Sequence, residues 1–317
     1  MKITLFEVPE TEQPVFLELF SGTDITLYEE KLTENNIDKA KDADVLCVFT
    51  NSLITKSIID LLPHLKAVVT RSTGFDHIDV AYANSKNIKV SNVPAYGSET
   101  VAEFAFALIL TLSRKMREAS SALKENGDYT VPANVQGFDL SGKTIGVVGT
   151  GKIGKNVIHI ARGFDMNVVA FDLYPDAGFA KENNFNYKTL GEVLAQSDIV
   201  TLHAPYTKEN HHLINKENIS MFKKGAYLIN TARGELIETE ALLSGLDSGV
   251  IAGAGLDVLE GERAIKKGDN IPMLDMPNVV MTPHVAFDTK EAEMRIIHTT
   301  VDNIKGFVSG APINLVK

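Results

Sequence analysis

Short apolar runs, separated by polar or turn residues, fill the first hundred positions. "KITLFEV", "DITLYE", "VLCVF", "KAVVT" and "IKVSNV" are rich in β-branched or aromatic residues, and that pattern predicts strands. Helical segments fit between them, for example over 54–62 and 76–86. Strands alternating with helices predict a parallel sheet covered by helices on its faces. At "YGSETVAEFAFALILTLSRKMREASSALKENG" the rhythm changes. Thr100 and Glu103 make a T-x-x-E capping box, and one long helix is expected to follow, ending near Gly127. Its first half is apolar all round, which implies burial between two bodies. After a loop with Pro132 and Gly137, a second alternating series begins. "KTIGVVG", "NVVAFD", "DIVTLH", "GAYLIN", "IAGAGLDV" and "NVVMTPH" read as its strands. The last stretch, 289–317, holds one more helix, which could return to pack on the first unit and make that domain discontinuous.

The chain has 317 residues, enough for about two domains with sizeable cores. A net charge of −10 argues against a nucleic-acid surface, where clustered Lys and Arg are expected. Cys47 is the single cysteine, so neither an intrachain disulfide nor a cysteine metal cluster is available; within "VLCVF" it reads as core. The start "MKITLFEVPE" has no signal-peptide pattern, and "VAEFAFALILTL" is too short to span a bilayer. A cytoplasmic protein without membrane or nucleic-acid partners is the expectation.

The stretch "VVGTGKIG" places Gly149, Gly151 and Gly154 in G-x-G-x-x-G order between a strand and a plausible helix. That is the setting of a dinucleotide fingerprint, in which backbone N–H groups of the first helical turn, Lys152 and Ile153 among them, face a pyrophosphate. Asp172 follows 18 residues past Gly154, at the end of the next strand. It can accept both ribose hydroxyls and would repel a 2′-phosphate, which favours NAD over NADP. A glycine-rich turn beside a solvated aspartate is the alternative.

Ligands of open α/β sheets bind beyond the carboxyl ends of strands. Arg233 follows "YLIN", Asp257 and Glu262 follow "AGAG", and His284 follows "VVMTP". Hydride addition to a ketone leaves an alkoxide that needs a proton, and histidine is suited to give it. Glu262 could orient His284 and favour its protonated form, while the Arg233 fork could grip a 2-oxo acid. Taken singly, Arg233 also reads as a surface ion-pair partner, Glu262 as solvated loop charge and His284 as a capping or core residue. His203 reads as shaping its loop. His211 and His212 are adjacent, with nothing nearby in sequence to complete a metal set, so no metal site is expected.

Together, "RSTGFDHID", "NVPAYGSETVAE", "GKTIGVVGTGKIG", "DIVTLHAPYTKEN", "LINTARGELI", "GLDVLEGE" and "MTPHVAF" resemble the D-isomer-specific 2-hydroxyacid dehydrogenases, which use NAD. The resemblance implies two Rossmann-like, doubly wound α/β domains separated by a cleft: a discontinuous substrate domain of 1–98 and 286–317, and an NAD-binding domain of 99–285. It implies that Arg233, Glu262 and His284 are the catalytic trio. Cofactor contacts are implied for Gly149, Gly151, Lys152, Ile153, Gly154, Asp172, Ala204, Pro205, Asn210, Thr231, Ala232 and Asp257. A substrate carboxylate held by Arg233 and the N–H groups of Thr73 and Gly74 is likewise implied, as is a homodimer with the long helix near its interface. "PAYGSETVAE" and "PHVAF" look more like the D-lactate branch, which puts Tyr96 and Phe287 near an apolar substrate side chain. Lys152, the "AIKKGDN" continuation and Asp288 depart from the usual pattern and leave the substrate open. A glyoxylate or hydroxypyruvate reductase of the same fold is one alternative, and an NAD-sensing corepressor-like scaffold, from a different functional class, is another.

Overall fold

In the run "VLCVF", Val45 and Cys47 point to one side of a strand while Leu46 and Val48 point to the other, and all four are buried. A strand buried on both faces belongs inside a helix-covered parallel sheet. In the computed structural model, which describes residues 1–316, that is its setting. The chain divides into two units: Met1–Tyr96 together with the segment from Thr289 onward, and Gly97–Asp288.

In the first unit, β1 (Ile3–Leu5), β2 (Ile25–Leu27), β3 (Val45–Val48), β4 (Ala67–Thr70) and β5 (Lys89–Ser91) form a parallel sheet in the order β2-β1-β3-β4-β5. The covering helices include α1 (Gln13–Leu19), α2 (Lys56–Asp60) and α3 (Val80–Ser85). The Cys47 thiol is buried, and burial pushes its pKa up to about 12, so it packs as a small apolar group.

The second unit opens with α4 (Ser98–Ser113) and α5 (Met116–Asn126). The single long helix that the apolar pattern predicts is therefore two. At the break Lys115 takes a left-handed conformation (φ 51°), and the Ser113 carbonyl accepts from the Phe138 N–H at 2.9 Å. A distant loop thus captures a carbonyl that a continuous helix would have used itself. The start also differs: the helix begins at Ser98 behind Gly97, so Thr100 sits inside the first turn rather than capping it. Gly127, left-handed at φ 71°, ends α5 where the sequence places the end.

Seven parallel strands follow: β6 (Thr144–Val148), β7 (Asn167–Phe171), β8 (Asn186–Tyr187), β9 (Ile199–Leu202), β10 (Ala226–Asn230), β11 (Ile251–Leu256) and β12 (Val279–Met281). Their order is β12-β11-β10-β9-β6-β7-β8. Helices α6 (Lys152–Gly163), α7 (Ala177–Glu182), α8 (Leu190–Gln196) and α9 (Thr239–Asp247) complete the unit. The buried half of α4 packs with α6 over Ile145, Val147 and Ile229, while α8 and α9 cover Val200, Leu202 and Leu228. The strand order reverses between β6 and β9, and a ligand crevice of this architecture lies at such a point, beyond the carboxyl ends.

Helix α10 (Lys290–Val308) follows in sequence and belongs to the first unit. Ile297, Val301 and Ile304 pack with Ile3, Leu5, Val45 and Val69 on one face of its sheet.

Candidate active site

The glycine turn leaves β6 at the switch point. Gly149 has φ +91°, and a side chain there would strike the backbone of His203 and Ala204 after β9. A Cβ on Gly154 would lie 2.0 Å from the Gly149 carbonyl oxygen, so only glycine lets α6 start this close to the strand. At Gly151 nothing lies within 4 Å of an added Cβ, so this backbone is open to a ligand. Lys152 and Ile153 are the first residues of α6, whose N–H groups and dipole favour an anion. Gly154→Ala forces overpacking that costs about 1–3 kcal/mol. NADH affinity, read by fluorescence titration, is therefore expected to fall by roughly ten-fold or more.

Asp172 closes the turn. Its Oδ2 accepts from Thr150 N (2.6 Å) and Thr150 Oγ1 (2.8 Å), and its Oδ1 from Tyr174 N (2.8 Å). Burial alone would raise this carboxyl; the hydrogen bonds outweigh it and hold the group below the usual carboxylate range. A fixed negative charge therefore stands at the edge of the turn. Two buried polar atoms in this unit, Thr231 Oγ1 and His203 Nδ1, have no hydrogen-bond partner. Unpaired buried polar groups are costly and call for a ligand or water, so the open glycine backbone, the fixed acid and these orphaned atoms fit a dinucleotide. His203 itself is no proton donor: burial pushes it down to about 3, and its Nε2 meets the Thr201 hydroxyl at 2.8 Å.

Three loops carry the remaining candidates. Asn230, fully buried at the end of β10, folds the first of them: its Oδ1 accepts from Ala232 N (3.0 Å) and its Nδ2 donates to Arg233 O (2.8 Å). Arg233 is half-buried on that turn, and its Nη1 donates to Ala232 O at 2.7 Å. A Cβ on the next residue, Gly234, would fall 2.0 Å from the Leu259 carbonyl carbon, so the Arg233 turn presses on the 259–262 segment. Within that segment Glu262 Oε2 accepts from Leu259 N (3.0 Å), and Glu262 Oε1 meets His284 Nδ1 at 2.6 Å. His284 sits at φ +57°, unusual for a non-glycine residue. The buried Asp257 holds it there: its backbone carbonyl accepts from His284 N, and its carboxylate accepts from Thr282 Oγ1, Val285 N and Ala286 N at 2.6–2.9 Å. Burial raises the Asp257 carboxyl.

Burial also acts to raise Glu262, but the hydrogen bond and charge of His284 and the Leu259 N–H outweigh it, leaving the carboxyl below its usual range. A depressed carboxyl contributes stability that is present above its unfolded value, near pH 4.3, and is lost as pH falls through the folded value. Glu262→Gln is therefore expected to be less stable than the parent at neutral pH, with the gap narrowing as pH falls below the usual carboxylate range. Denaturant melts at several pH values check this; a constant gap would contradict it.

The sequence profile of the "D-isomer specific 2-hydroxyacid dehydrogenase, NAD binding domain" family matches residues 106–286. The chain belongs to that family. Its cofactor is NAD. A 2-hydroxyacid dehydrogenase homolog of Zymomonas mobilis is 37% identical over 302 residues, covering 91% of each chain. A glyoxylate reductase of Korarchaeum cryptofilum is 38% identical over 284 residues, covering 88% of this chain and 84% of its own. Among solved structures, D-lactate dehydrogenase from Aquifex aeolicus, complexed with NAD and lactic acid, superposes with a TM-score of 0.92 at 35% identity, covering 99% and 98% of the two chains.

Against that family, the expected residues fall into two groups. Gly149, Gly151, Lys152, Ile153, Gly154, Asp172, Ala204, Pro205, Thr231, Ala232, Arg233, Asp257, Glu262 and His284 all lie on loops beyond carboxyl ends of the large sheet or at the start of α6. Asn210, expected to touch the cofactor, has its side chain committed to its own loop, donating to Pro205 O and accepting from Thr207 N, both at 2.7 Å. Phe287 is half-buried three residues past His284. In the first unit, the turn with Thr73 and Gly74 is firmly held: Thr73 Oγ1 donates to Val93 O, Asn92 Nδ2 to Thr73 O and Ser72 Oγ to Gly74 O, each at 2.7 Å. Tyr96 ends the first segment of that unit, and its carbonyl accepts from Arg295 Nε of the second segment at 2.6 Å. Sequence reasoning missed Asn230; a polar residue closing an apolar strand, next to "TARG", was the available signal. It also found nothing around His211 and His212 to offer a metal set; in the fold, Glu260 Oε1 reaches His212 Nε2 at 2.6 Å. No helix among the described residues is long and apolar enough to cross a membrane.

Proposed function

We propose that the chain reduces a small 2-oxo acid with an apolar side chain, such as pyruvate, to the D-2-hydroxy acid. The observation that carries this reading is the 2.6 Å hydrogen bond that Glu262 Oε1 accepts from His284 Nδ1, made on a loop pressed against the Arg233 turn. With Nδ1 committed, Nε2 is the ring nitrogen left to face a reacting oxygen. NADH, when bound, supplies the hydride. The guanidinium of Arg233 binds the substrate carboxylate and polarises the keto group. His284 Nε2 gives its proton to the oxygen as negative charge develops, and Glu262 holds the ring in register throughout. The held Thr73–Gly74 turn offers backbone N–H groups of the kind that bind carboxylates. Phe287, three residues past His284, supplies aromatic surface that favours an apolar side chain over the hydroxymethyl group of hydroxypyruvate.

A second reading, glyoxylate reductase, is favoured by the Korarchaeum relative of that name. One NADH-oxidation panel separates the two. Pyruvate, 2-oxobutyrate, 4-methyl-2-oxopentanoate, phenylpyruvate, oxaloacetate, hydroxypyruvate and glyoxylate are compared by kcat/KM, and the series is repeated with NADPH. The proposal expects an apolar 2-oxo acid to lead and NADPH to be poor, because the fixed Asp172 charge opposes a 2′-phosphate. A lead by glyoxylate would select the second reading. Tight NADH binding with no turnover on any acid would favour a sensing scaffold. A homodimer is part of the same reading, and light scattering would then give twice the mass of the chain.

A further inference from the structure

We infer that His211, His212 and Glu260 form a binding site for a divalent transition-metal ion of the zinc type. One nitrogen from each imidazole and one oxygen of the carboxylate lie within 4.8 Å of one another. The fold creates this set: 48 residues separate Glu260 from His212, and the two meet at 2.6 Å between Oε1 and Nε2. Neutral imidazole is a preferred ligand of zinc, cobalt, nickel and copper, and a carboxylate completes a common three-ligand set. Bonds of roughly 2.1 Å in tetrahedral geometry need donor atoms about 3.4 Å apart. The His212–Glu260 contact must open slightly and His211 must draw in, so the ion takes the place of the proton now shared by the pair. His211 is exposed and stacked on His212, with ring centroids 3.8 Å apart, so its ring can turn to present a nitrogen while water fills the fourth position.

Outer contacts already orient the ligands, as metal sites require. Glu260 Oε2 accepts from the Thr239 hydroxyl at 3.0 Å, and His212 N donates to the Glu235 carbonyl at 2.9 Å. The tyrosine hydroxyl of Tyr206 stands 3.5 Å from His211 Nδ1. None of these residues is Arg233, Glu262 or His284, but Glu260 lies on the 259–262 segment against which the Arg233 turn presses, so the two sites are neighbours.

Calorimetric titration of the untagged, metal-stripped full chain with Zn²⁺ tests the inference, with Co²⁺ absorption as a second readout. One ion per chain and a visible spectrum of four-coordinate cobalt are expected. His211→Ala leaves the His212–Glu260 pair in place, so its metal-free melt should match the parent while Zn²⁺ affinity falls by about ten-fold or more. Glu260→Gln should weaken binding similarly; if it melts early, His211→Ala alone decides. Absent saturable binding, or equal affinity in the parent and His211→Ala, would overturn the site.

Discussion

His284→Ala is expected to lower kcat for 2-oxo acid reduction by about 10²–10⁴-fold, the usual worth of a positioned general acid. The reason is geometric. Nδ1 is committed to Glu262 at 2.6 Å, Asp257 holds the backbone of 282–286, and the unusual φ of +57° aims the ring. Alanine keeps the loop's hydrogen bonds to Asp257 and removes the imidazole, and with it the partner of Glu262 Oε1. NADH affinity should therefore stay close to that of the parent, because the glycine turn and Asp172 are untouched. Steady-state kinetics alongside NADH fluorescence titration separates these effects. Unchanged kcat would remove His284 from the mechanism; lost NADH binding would show that the substitution disturbed the unit instead.

Arg233→Ala should be as severe, and should appear mainly in kcat/KM. Two charge-assisted hydrogen bonds to a carboxylate, at about 1.5–3 kcal/mol each, correspond to a loss of roughly 10²–10⁴-fold. Arg233→Lys should recover little, because an ammonium is a point charge and cannot match the planar fork. The main chain of the turn should survive both changes, since Asn230 folds it through the Arg233 carbonyl and the Ala232 N–H rather than through the guanidinium. If Arg233→Lys retained full activity, a simple positive charge would suffice and the fork would not be the operative feature. Combined with His284→Ala, the losses should fall well short of multiplying, because residues acting on one transition state are not additive.

Much of this arrangement was legible in the sequence because burial leaves strong patterns. Runs such as "VLCVF" and "KAVVT" are buried on both faces and read at once as central parallel strands. The glycine turn was legible because three separate steric demands fall at fixed spacing. Arg233, Glu262 and His284 stood out because each follows a strand, where the fold places ligands. What stayed hidden depends on partners far along the chain. The α4–α5 break follows from Phe138 capturing the Ser113 carbonyl, and nothing within the helix announces it. Asp257 was read only as a cofactor contact, yet its carboxylate holds the 282–286 segment that presents His284. Glu260 carries no signal of its own in "LEGER", and only the fold sets it on His212 and Thr239.

The configuration of the product tests the central claim most directly. The parent chain is incubated with NADH and each 2-oxo acid, and the resulting 2-hydroxy acid is resolved by chiral chromatography against the NADH consumed. The account predicts one D-2-hydroxy acid per NADH oxidised. An L product, or NADH that binds but is never oxidised with any of the acids, would contradict it.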